Sequence, residues 1–290
     1  MSDYHKGLAA GLFCFIFWGF APIYFKLIQT VPALTIIAHR IIWGALFLLI
    51  FLAIRERKKL FKALHVSYKQ LIFLFISGLL VSSNWLMFVW AVTQDQILAT
   101  SMGYFINPLV NIFLGLLFLR ERLTVQQTIA LIIASTSTLF LGIYLGQPPW
   151  IALFLAFTFG LYGLVRKKLD VKPLVGLLWE TLLLFIPAVF YLIYFSPEFE
   201  YSGTNNNLYF LLVLSGLVTV LPLIGFNYAA KKLPLTLVGF LQYIAPSISF
   251  FIAVYYYGET FSLGYKIAFS GIWLSLVIVS LSSFKKSKLI

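Results

Sequence analysis

The sequence has few charged residues for its length. Only 10% of its 290 residues are Asp, Glu, Lys or Arg, whereas 61% are hydrophobic, and the mean hydropathy is +0.97. Because a soluble domain carries about 25% charged residues, this composition excludes the soluble class and indicates an integral membrane protein. The single cysteine, Cys14, excludes an intrachain disulfide and a metal site built from several cysteines.

Motifs for nucleotide hydrolysis and metal-dependent catalysis are missing as well. The chain has no G-x-x-x-x-G-K-[ST] phosphate loop, no H-E-x-x-H helix and no C-x-x-C pair. An integral membrane enzyme is the alternative of a different class, but it needs a cluster of catalytic groups near one membrane face. We therefore expect no enzymatic activity and no cofactor or metal. We also expect no nucleic-acid partner, because the basic residues are spread over short loops.

Ten apolar runs are each long enough to cross a bilayer as a helix, given that about 20 apolar residues cover the roughly 30 Å hydrocarbon core. The first run continues through Phe20 without a cleavage site, so we interpret it as a span and not as a signal peptide. The predicted spans are 7–28, 33–54, 71–93, 96–119, 126–145, 149–165, 174–195, 208–230, 235–257 and 264–284. The predicted fold is all-α and integral to the membrane, with ten transmembrane helices.

The basic residues favour one side of the predicted membrane. If the N-terminus is cytoplasmic, 18 of the 21 Lys and Arg residues fall in cytoplasmic segments. Two, Lys26 and Lys266, fall in outer loops, and Arg40 lies inside a span. Since positive residues concentrate in cytoplasmic loops, we predict that both termini are cytoplasmic.

The two halves of the chain share a sequence pattern. Residues 77–121 and 215–259 align without gaps at an offset of 138, with nine identities that include Ser-Gly-Leu at both starts and Pro108 with Pro246. Five spans per half would turn the second half upside down relative to the first. We therefore predict two inverted five-helix repeats, 1–146 and 147–290, which together form one membrane domain. This arrangement is typical of secondary transporters.

Eight short motifs resemble one known family. They are HRIIW (39–43), NWLMFVWAV (84–92), SMGYFINPLVN (101–111), LRER (119–122), FGLYGLVRKK (159–168), LLWET (177–181), GFLQYIAP (239–246) and YYYGE (255–259). Over nearly the whole chain they resemble the RarD branch of the EamA-type drug/metabolite transporters. The resemblance implies a ten-helix inverted-repeat carrier of the bacterial inner (plasma) membrane, but it does not imply a substrate.

The expected function is that of a secondary carrier working by alternating access, with export as the expected direction. Its expected partners are the lipid bilayer and a small amphipathic metabolite, an amino-acid-like compound or a drug, with no obligate protein partner. The alternative is a membrane channel or a signalling receptor.

Two predicted spans contain charged or titratable side chains. Arg40 follows His39 and lies about 12 Å below the outer surface at 1.5 Å per residue, where an Arg costs about 2.5–3.5 kcal/mol on insertion scales. At an offset of 141, His39 aligns with Glu180, the acidic residue inside the seventh span. Three interpretations are open. Arg40 and Glu180 could form a buried ion pair, act as gates or contacts for a zwitterionic substrate, or carry protons through Glu180 with His39.

A substrate path is predicted beside Pro108 and Pro246, which are aligned prolines inside the fourth and ninth spans. A proline within a helix frees a carbonyl, which is tolerated where a cavity or a polar neighbour satisfies it. The candidate path residues are Tyr104, Asn107, Pro108, Gln242, Tyr243, Pro246, Asn84 and Trp90. A lone Asn more often bonds a neighbouring helix, so helix packing is the alternative. Glu121 and Glu259 are interpreted as solvated helix ends.

Reporter fusions test the predicted topology. Alkaline phosphatase fused after residue 95, 147 or 201 should be active, because these loops are predicted to be periplasmic. Green fluorescent protein fused after residue 290 should be fluorescent, because the C-terminus is predicted to be cytoplasmic. Inactive phosphatase at all three loops together with a dark C-terminal fusion would contradict the ten-span topology.

Overall fold

The computed structural model describes residues 3–56, 64–119, 123–196, 206–233 and 241–287. Within these ranges the chain is built from α-helices and one π-helical segment. In chain order they are α1 (Asp3–Gly19), α2 (Ala21–Leu27), α3 (Ala33–Glu56), α4 (Tyr68–Thr93), α5 (Ile97–Leu119), α6 (Val125–Leu145), α7 (Trp150–Lys168), α8 (Pro173–Phe195), α9 (Asn206–Lys232), α10 (Ile244–Phe251), the π-helical segment Ile252–Tyr256 and α11 (Leu263–Ser287).

Eight helical segments of this set are long and apolar enough to cross a membrane, with α1 and α2 together counting as one. Two further apolar segments, Ile244–Tyr256 and Leu263–Ile278, are shorter within the described residues. Each predicted span coincides with a helical segment, although residues 235–240 of the ninth lie outside the described residues. The all-helical, multi-pass membrane fold is therefore confirmed. The count of ten and the orientation stay predictions.

Local sequence sets the start of two spans. α4 and α6 each begin with a capping box, formed by Ser67 with Gln70 and by Thr124 with Gln127. In both boxes the hydroxyl accepts from the backbone N–H three residues on, and the glutamine side chain accepts from the capping residue's own N–H. These bonds satisfy backbone donors that have no partner within the helix.

The main helix contacts between the two halves repeat when the halves are exchanged. α3 packs on α9, and α8, the second-half counterpart of α3, packs on α4. In the same way α1 contacts α9 and α10, while α7 contacts α4 and α5. Three pairs of counterparts pack directly on each other: α3 with α8, α5 with α10, and α6 with α11. This pattern is the one expected of two related halves. The boundary between residues 146 and 147 stays a prediction.

The Ser-Gly pair common to both halves lies where helices of opposite halves approach closely. A Cβ added at Gly216 would lie 2.6 Å from the carbonyl carbon of Trp43 and 2.7 Å from the nitrogen of Gly44, both in the α3 backbone. A Cβ added at Gly78 would lie 3.1 Å from the backbone oxygen of Glu180 in α8. Small residues permit such approach in membrane helices, which explains why a glycine occupies both aligned positions.

Replacing Gly216 with Ala should lower the melting temperature of the purified protein in detergent. The new methyl group would meet the backbone of α3, which cannot rotate away, and overpacking of this kind costs about 1–3 kcal/mol. Gly44→Ala is the matched control, because an added Cβ there meets no atom within 4 Å. Differential scanning fluorimetry would compare the two, and equal melting temperatures would contradict the close contact.

Candidate substrate site

Arg40 lies in α3 among neutral side chains from α2, α4 and α9. Its Nε donates to Thr219 Oγ1 at 2.5 Å. The guanidinium carbon lies 4.2 Å from the ring centroid of Trp85 and 5.6 Å from that of Phe25. Only 7% of Arg40 is exposed. The charge is thus held by one hydroxyl and two aromatic rings, and no carboxylate among the described residues pairs with it.

Glu180 lies in α8 and is 1% exposed. Its carboxylate accepts hydrogen bonds from Ser77 Oγ at 2.6 Å and from the Tyr162 hydroxyl at 3.4 Å. Arg166 Nη1 lies 3.6 Å from Glu180 Oε1 and completes an ion pair. The guanidinium lies directly against Gly176, where an added Cβ would be 1.9 Å from Nη1. The absence of a side chain at Gly176 therefore makes room for this pair.

The interpretation in which Arg40 and Glu180 pair with each other is wrong. Each contacts α4, Arg40 through Trp85 and Glu180 through Ser77. These two contacts are eight residues apart, which is about 12 Å along a helix. The other two interpretations stay predictions. In one, these residues act as gates or substrate contacts; in the other, Glu180 and His39 carry protons.

Sequence reasoning missed Arg166, which it counted as a cytoplasmic loop charge. Arg166 lies in the last turn of α7, four residues after Tyr162 and on the same helix face. Both side chains contact Glu180. The i, i+4 spacing of a tyrosine and a cation is a signal in the sequence, but it gives no partner until the neighbouring helix is known.

A row of aromatic rings connects the two charged positions. From the ring beside Arg40 to the tyrosine that bonds Glu180, consecutive centroids lie 5.9, 5.9, 6.2 and 5.9 Å apart in the order Phe25, Phe88, Tyr104, Phe159 and Tyr162. The row passes through α2, α4, α5 and α7. It forms a largely apolar surface with hydroxyl groups on two of its rings.

Asn84 connects three helices within this region. Its Nδ2 donates to the backbone oxygen of Leu155 and to Thr158 Oγ1, both at 2.9 Å, and its Oδ1 accepts from the Tyr104 hydroxyl at 3.2 Å. The side chain is fully buried. Since both N–H groups and the oxygen have protein partners, Asn84 positions α5 and α7 against α4.

Asn107 lies in α5 and faces α7. Its Nδ2 donates to the backbone oxygen of Ala156 and its Oδ1 accepts from Asn111 Nδ2, both at 3.1 Å. The neighbouring Pro108 lies inside α5, as predicted from its position in the span. The contacts of Asn107 favour helix packing over substrate contact.

Gln242, Tyr243 and Pro246 lie at the beginning of α10, next to α5. The Tyr243 ring stacks on Phe105 with centroids 6.3 Å apart and ring planes 16° apart, and Ser101 Oγ donates to the Pro246 backbone oxygen at 2.5 Å. Both Gln242 and Tyr243 are partly exposed. Within the part of the chain that the structure describes, the Gln242 amide and the Tyr243 hydroxyl make no hydrogen bond.

Trp90 contacts a second tryptophan near the ends of two helices. It lies in the last turn of α4, and its ring is 5.5 Å from that of Trp150, which is 45% exposed at the start of α7. This position at the helix ends is typical of an interfacial aromatic residue. His39, by contrast, is buried in α3 beside Arg40.

Glu259 contacts the other half of the chain and is not a solvated helix end. After the turn at Gly258, which has a φ of +68°, its carboxylate accepts from the backbone N–H groups of Ile97 and Leu98 at 2.6 and 2.7 Å. Glu259 therefore caps the start of α5. Burial raises the pKa of Glu259, although these two donors oppose the shift. Its aligned counterpart, Glu121, lies outside the described residues.

An ion pair between Lys26 and Asp95 lies near this cap. Asp95 occupies the turn between α4 and α5, and the Lys26 ammonium also faces the Tyr257 ring at 5.5 Å. These contacts bring the ends of α2, α4, α5 and the π-helical segment together at the predicted outer face.

An apolar groove of about 760 Å³ lies between α5, α6 and α7. Its lining includes Ile106, Leu131 and Phe157, but none of the predicted path residues. The groove is therefore separate from the predicted path.

Comparison with known sequences identifies the family. A profile of the EamA-like transporter family matches residues 5–143 and again residues 149–281. The chain belongs to the EamA-like transporter family. It is 42% identical to Protein RarD of Salmonella typhimurium over 275 residues, with 94% of each chain covered. It is 40% identical to the uncharacterized transporter YojE of Bacillus subtilis, and 39% identical to an uncharacterized transporter of Pseudomonas aeruginosa. Each of these two alignments covers 98% of this chain and 96% of the relative.

These similarities confirm the RarD branch and support a membrane transporter. A crystal structure with 16% sequence identity superimposes with a TM-score of 0.65 and covers 96% of this chain and 98% of its own. At that identity the likeness concerns the fold alone. The sequence comparisons and the helical fold thus agree that this is a multi-pass membrane protein of the RarD branch.

The Arg166–Glu180 pair of this EamA protein should behave as a buried ion pair. Glu180→Met or Arg166→Met should each lower the melting temperature strongly, because breaking a buried pair from one side costs about 3–5 kcal/mol. The double change to Met at both positions should be less harmful than the two single effects added together. Asp3→Asn is the control, because its pair with Lys232 is solvent-exposed. Additive effects at 166 and 180 would contradict the pairing.

Proposed function

We propose that this protein is a secondary carrier that moves small amphipathic compounds across the bacterial inner membrane by alternating access. The observation that carries the proposal is the set of main helix contacts between the two halves, which correspond in pairs when the halves are exchanged. The double match of the family profile, over 5–143 and 149–281, agrees with two related halves. In an inverted-repeat carrier, rocking one half against the other moves the opening from one face to the other.

The contact between α5 and α10 supports a symmetry axis at this place. Phe105 and Tyr243 are aligned at the repeat offset of 138, and their rings stack on each other. Pro108 and Pro246, three residues further along each helix, are aligned at the same offset. Equivalent residues of two inverted halves meet only where the axis that relates them passes. A central substrate site is expected near this contact.

The proposed site combines a few polar groups with an apolar wall. Pro108 and Pro246 lack the N–H groups that would bond the carbonyls of Tyr104 and Gln242, the aligned residues four positions earlier. The Gln242 amide and the Tyr243 hydroxyl add groups without a hydrogen bond to the described residues. Such a site suits a small amphipathic solute over a highly charged one. We therefore propose amphipathic metabolites, amino-acid-like compounds or drugs as substrates and export as the direction.

Counterflow in proteoliposomes tests the carrier mechanism. A thermal-shift screen of amino acids and amphiphilic antibiotics would first give a ligand. Vesicles loaded with that ligand should then accumulate the labelled compound transiently and saturably. Flux that rises linearly with concentration and shows no counterflow would contradict a carrier and favour a channel. Comparing right-side-out with inverted membrane vesicles would test export.

Two variants test the position of the substrate path. Gln242→Ala and Tyr243→Phe should each raise the half-saturating concentration about 2- to 15-fold, since one hydrogen bond contributes about 0.5–1.5 kcal/mol. Thr136→Ala is the control, because this exposed hydroxyl bonds only carbonyls of its own helix. Unchanged affinity in both path variants, at wild-type protein levels, would remove α10 from the path.

A further inference from the structure

We propose that Arg40 recognises the substrate through a carboxylate group, so that the protein selects small monocarboxylates with an aromatic or apolar portion. This inference rests on the proposed function, because it names the substrate class of that carrier. It is carried by the hydrogen-bonding state of Arg40, by the neutrality of its surroundings and by the rings beside it.

Most of the donors of Arg40 are available to a ligand. A guanidinium has five N–H donors, and Arg40 uses one of them, from Nε to Thr219 Oγ1. Its two terminal nitrogens donate to no residue that the structure describes. Neither nitrogen is among the fully enclosed side-chain atoms that lack a hydrogen-bond partner in the part of the chain that the structure describes. A side chain that is 93% buried thus presents four donors to a small molecule.

The described residues do not supply a negative charge at this place. The Trp85 ring and the Thr219 hydroxyl stabilise the buried guanidinium. They offset part of the cost of placing an arginine in the membrane, but neither neutralises its charge. Glu180, the buried acid of α8, is already paired with Arg166. The counter-ion has to come from outside the described residues, and a substrate supplies it.

The geometry favours a carboxylate over other anions. The two terminal nitrogens of a guanidinium form a planar fork that matches the two oxygens of a carboxylate. One fixed cation balances the single charge of a carboxylate. A phosphate dianion would bring a second negative charge, for which the described residues offer no second cation beside Arg40. Cationic compounds would be repelled.

The rest of the substrate is expected to lie against aromatic side chains. Trp85 and Phe25 are directly beside the guanidinium, and Phe88 and Tyr104 continue the ring row away from it. A carboxylate bound to Arg40 therefore places its attached group next to a mostly apolar surface. An aromatic ring or a short alkyl group would pack against that surface.

Matched probe sets test the carboxylate preference. Isothermal titration of the full-length protein in lipid nanodiscs would use phenylacetate, phenylacetamide and phenethylamine, and the corresponding indole-3-acetate, indole-3-acetamide and tryptamine. We expect each acid to bind at least about tenfold more tightly than its amide, because hydrogen bonds to a charged partner are worth about 1.5–3 kcal/mol. The amines should bind no better than the amides. Equal affinity of acid and amide, or no binding of either acid, would overturn the proposal.

Variants at position 40 assign the preference to this side chain. Arg40→Gln should remove the difference in affinity between acid and amide, because the side chain then carries no charge. Arg40→Lys keeps the charge but lacks the fork, so the acid should lose affinity yet stay preferred. This second variant serves as the test if Arg40→Gln does not fold. A full wild-type preference in the Gln variant, or in the Lys variant when only that one folds, would overturn the assignment.

The experiments can contradict the carrier proposal and the carboxylate-site proposal independently. If the acids bind through Arg40 but show no saturable counterflow, the carrier proposal fails and the site stands. If counterflow of another compound is saturable while no preference depends on Arg40, the carrier stands and the carboxylate assignment is wrong.

Discussion

Close backbone contact between helices of opposite halves determines where the buried charges find their partners. Because Gly78 has no side chain, α8 lies against α4 at Glu180, and the adjacent Ser77 reaches the carboxylate. Gly216 lets α3 lie against α9 in the same way, and Thr219, one turn further, reaches Arg40. Lipid tails are as apolar as the side chains, so helix association in a membrane depends on such packing and on hydrogen bonds between helices. At both positions the glycine allows the close helix contact, and a nearby polar side chain adds a hydrogen bond between the helices.

The backbone of the two halves is related, but their charges are not. At the offset of 141, Arg40 aligns with Thr181 and Phe25 aligns with Arg166. In the first half the Arg40 cation faces the Phe25 ring. In the second half Arg166 faces the anion Glu180, the neighbour of Thr181. The second cluster satisfies its own charge within the protein. Among the described residues the first has no such counter-ion, and for this reason we propose that the Arg40 position discriminates between ligands by charge.

The sequence was a good guide to the spans and a poor guide to lateral contacts. Bilayer thickness fixes the length of an apolar run, so the predicted span 174–195 differs from Pro173–Phe195 by one residue at its start. The sequence carries less information about which helices pack side by side. Arg166 was read as a loop charge because the basic run at the end of α7 does not show that one member faces Glu180. Glu259 caps backbone groups more than 160 residues earlier in the chain, and no local pattern contains that information.

The contacts differ in how costly they are to break, and this difference bears on how the proposed carrier would open. In the proposed carrier, outward opening would separate Glu259 from the start of α5. A helix cap contributes about 0.5–2 kcal/mol, and water at the membrane surface can replace it. Separating Arg166 from Glu180 would leave a buried charge without a partner, at about 3–5 kcal/mol. The outer contact is therefore the easier of the two to release, and α7 and α8 are expected to move together while the outer ends of α5 and the π-helical segment part.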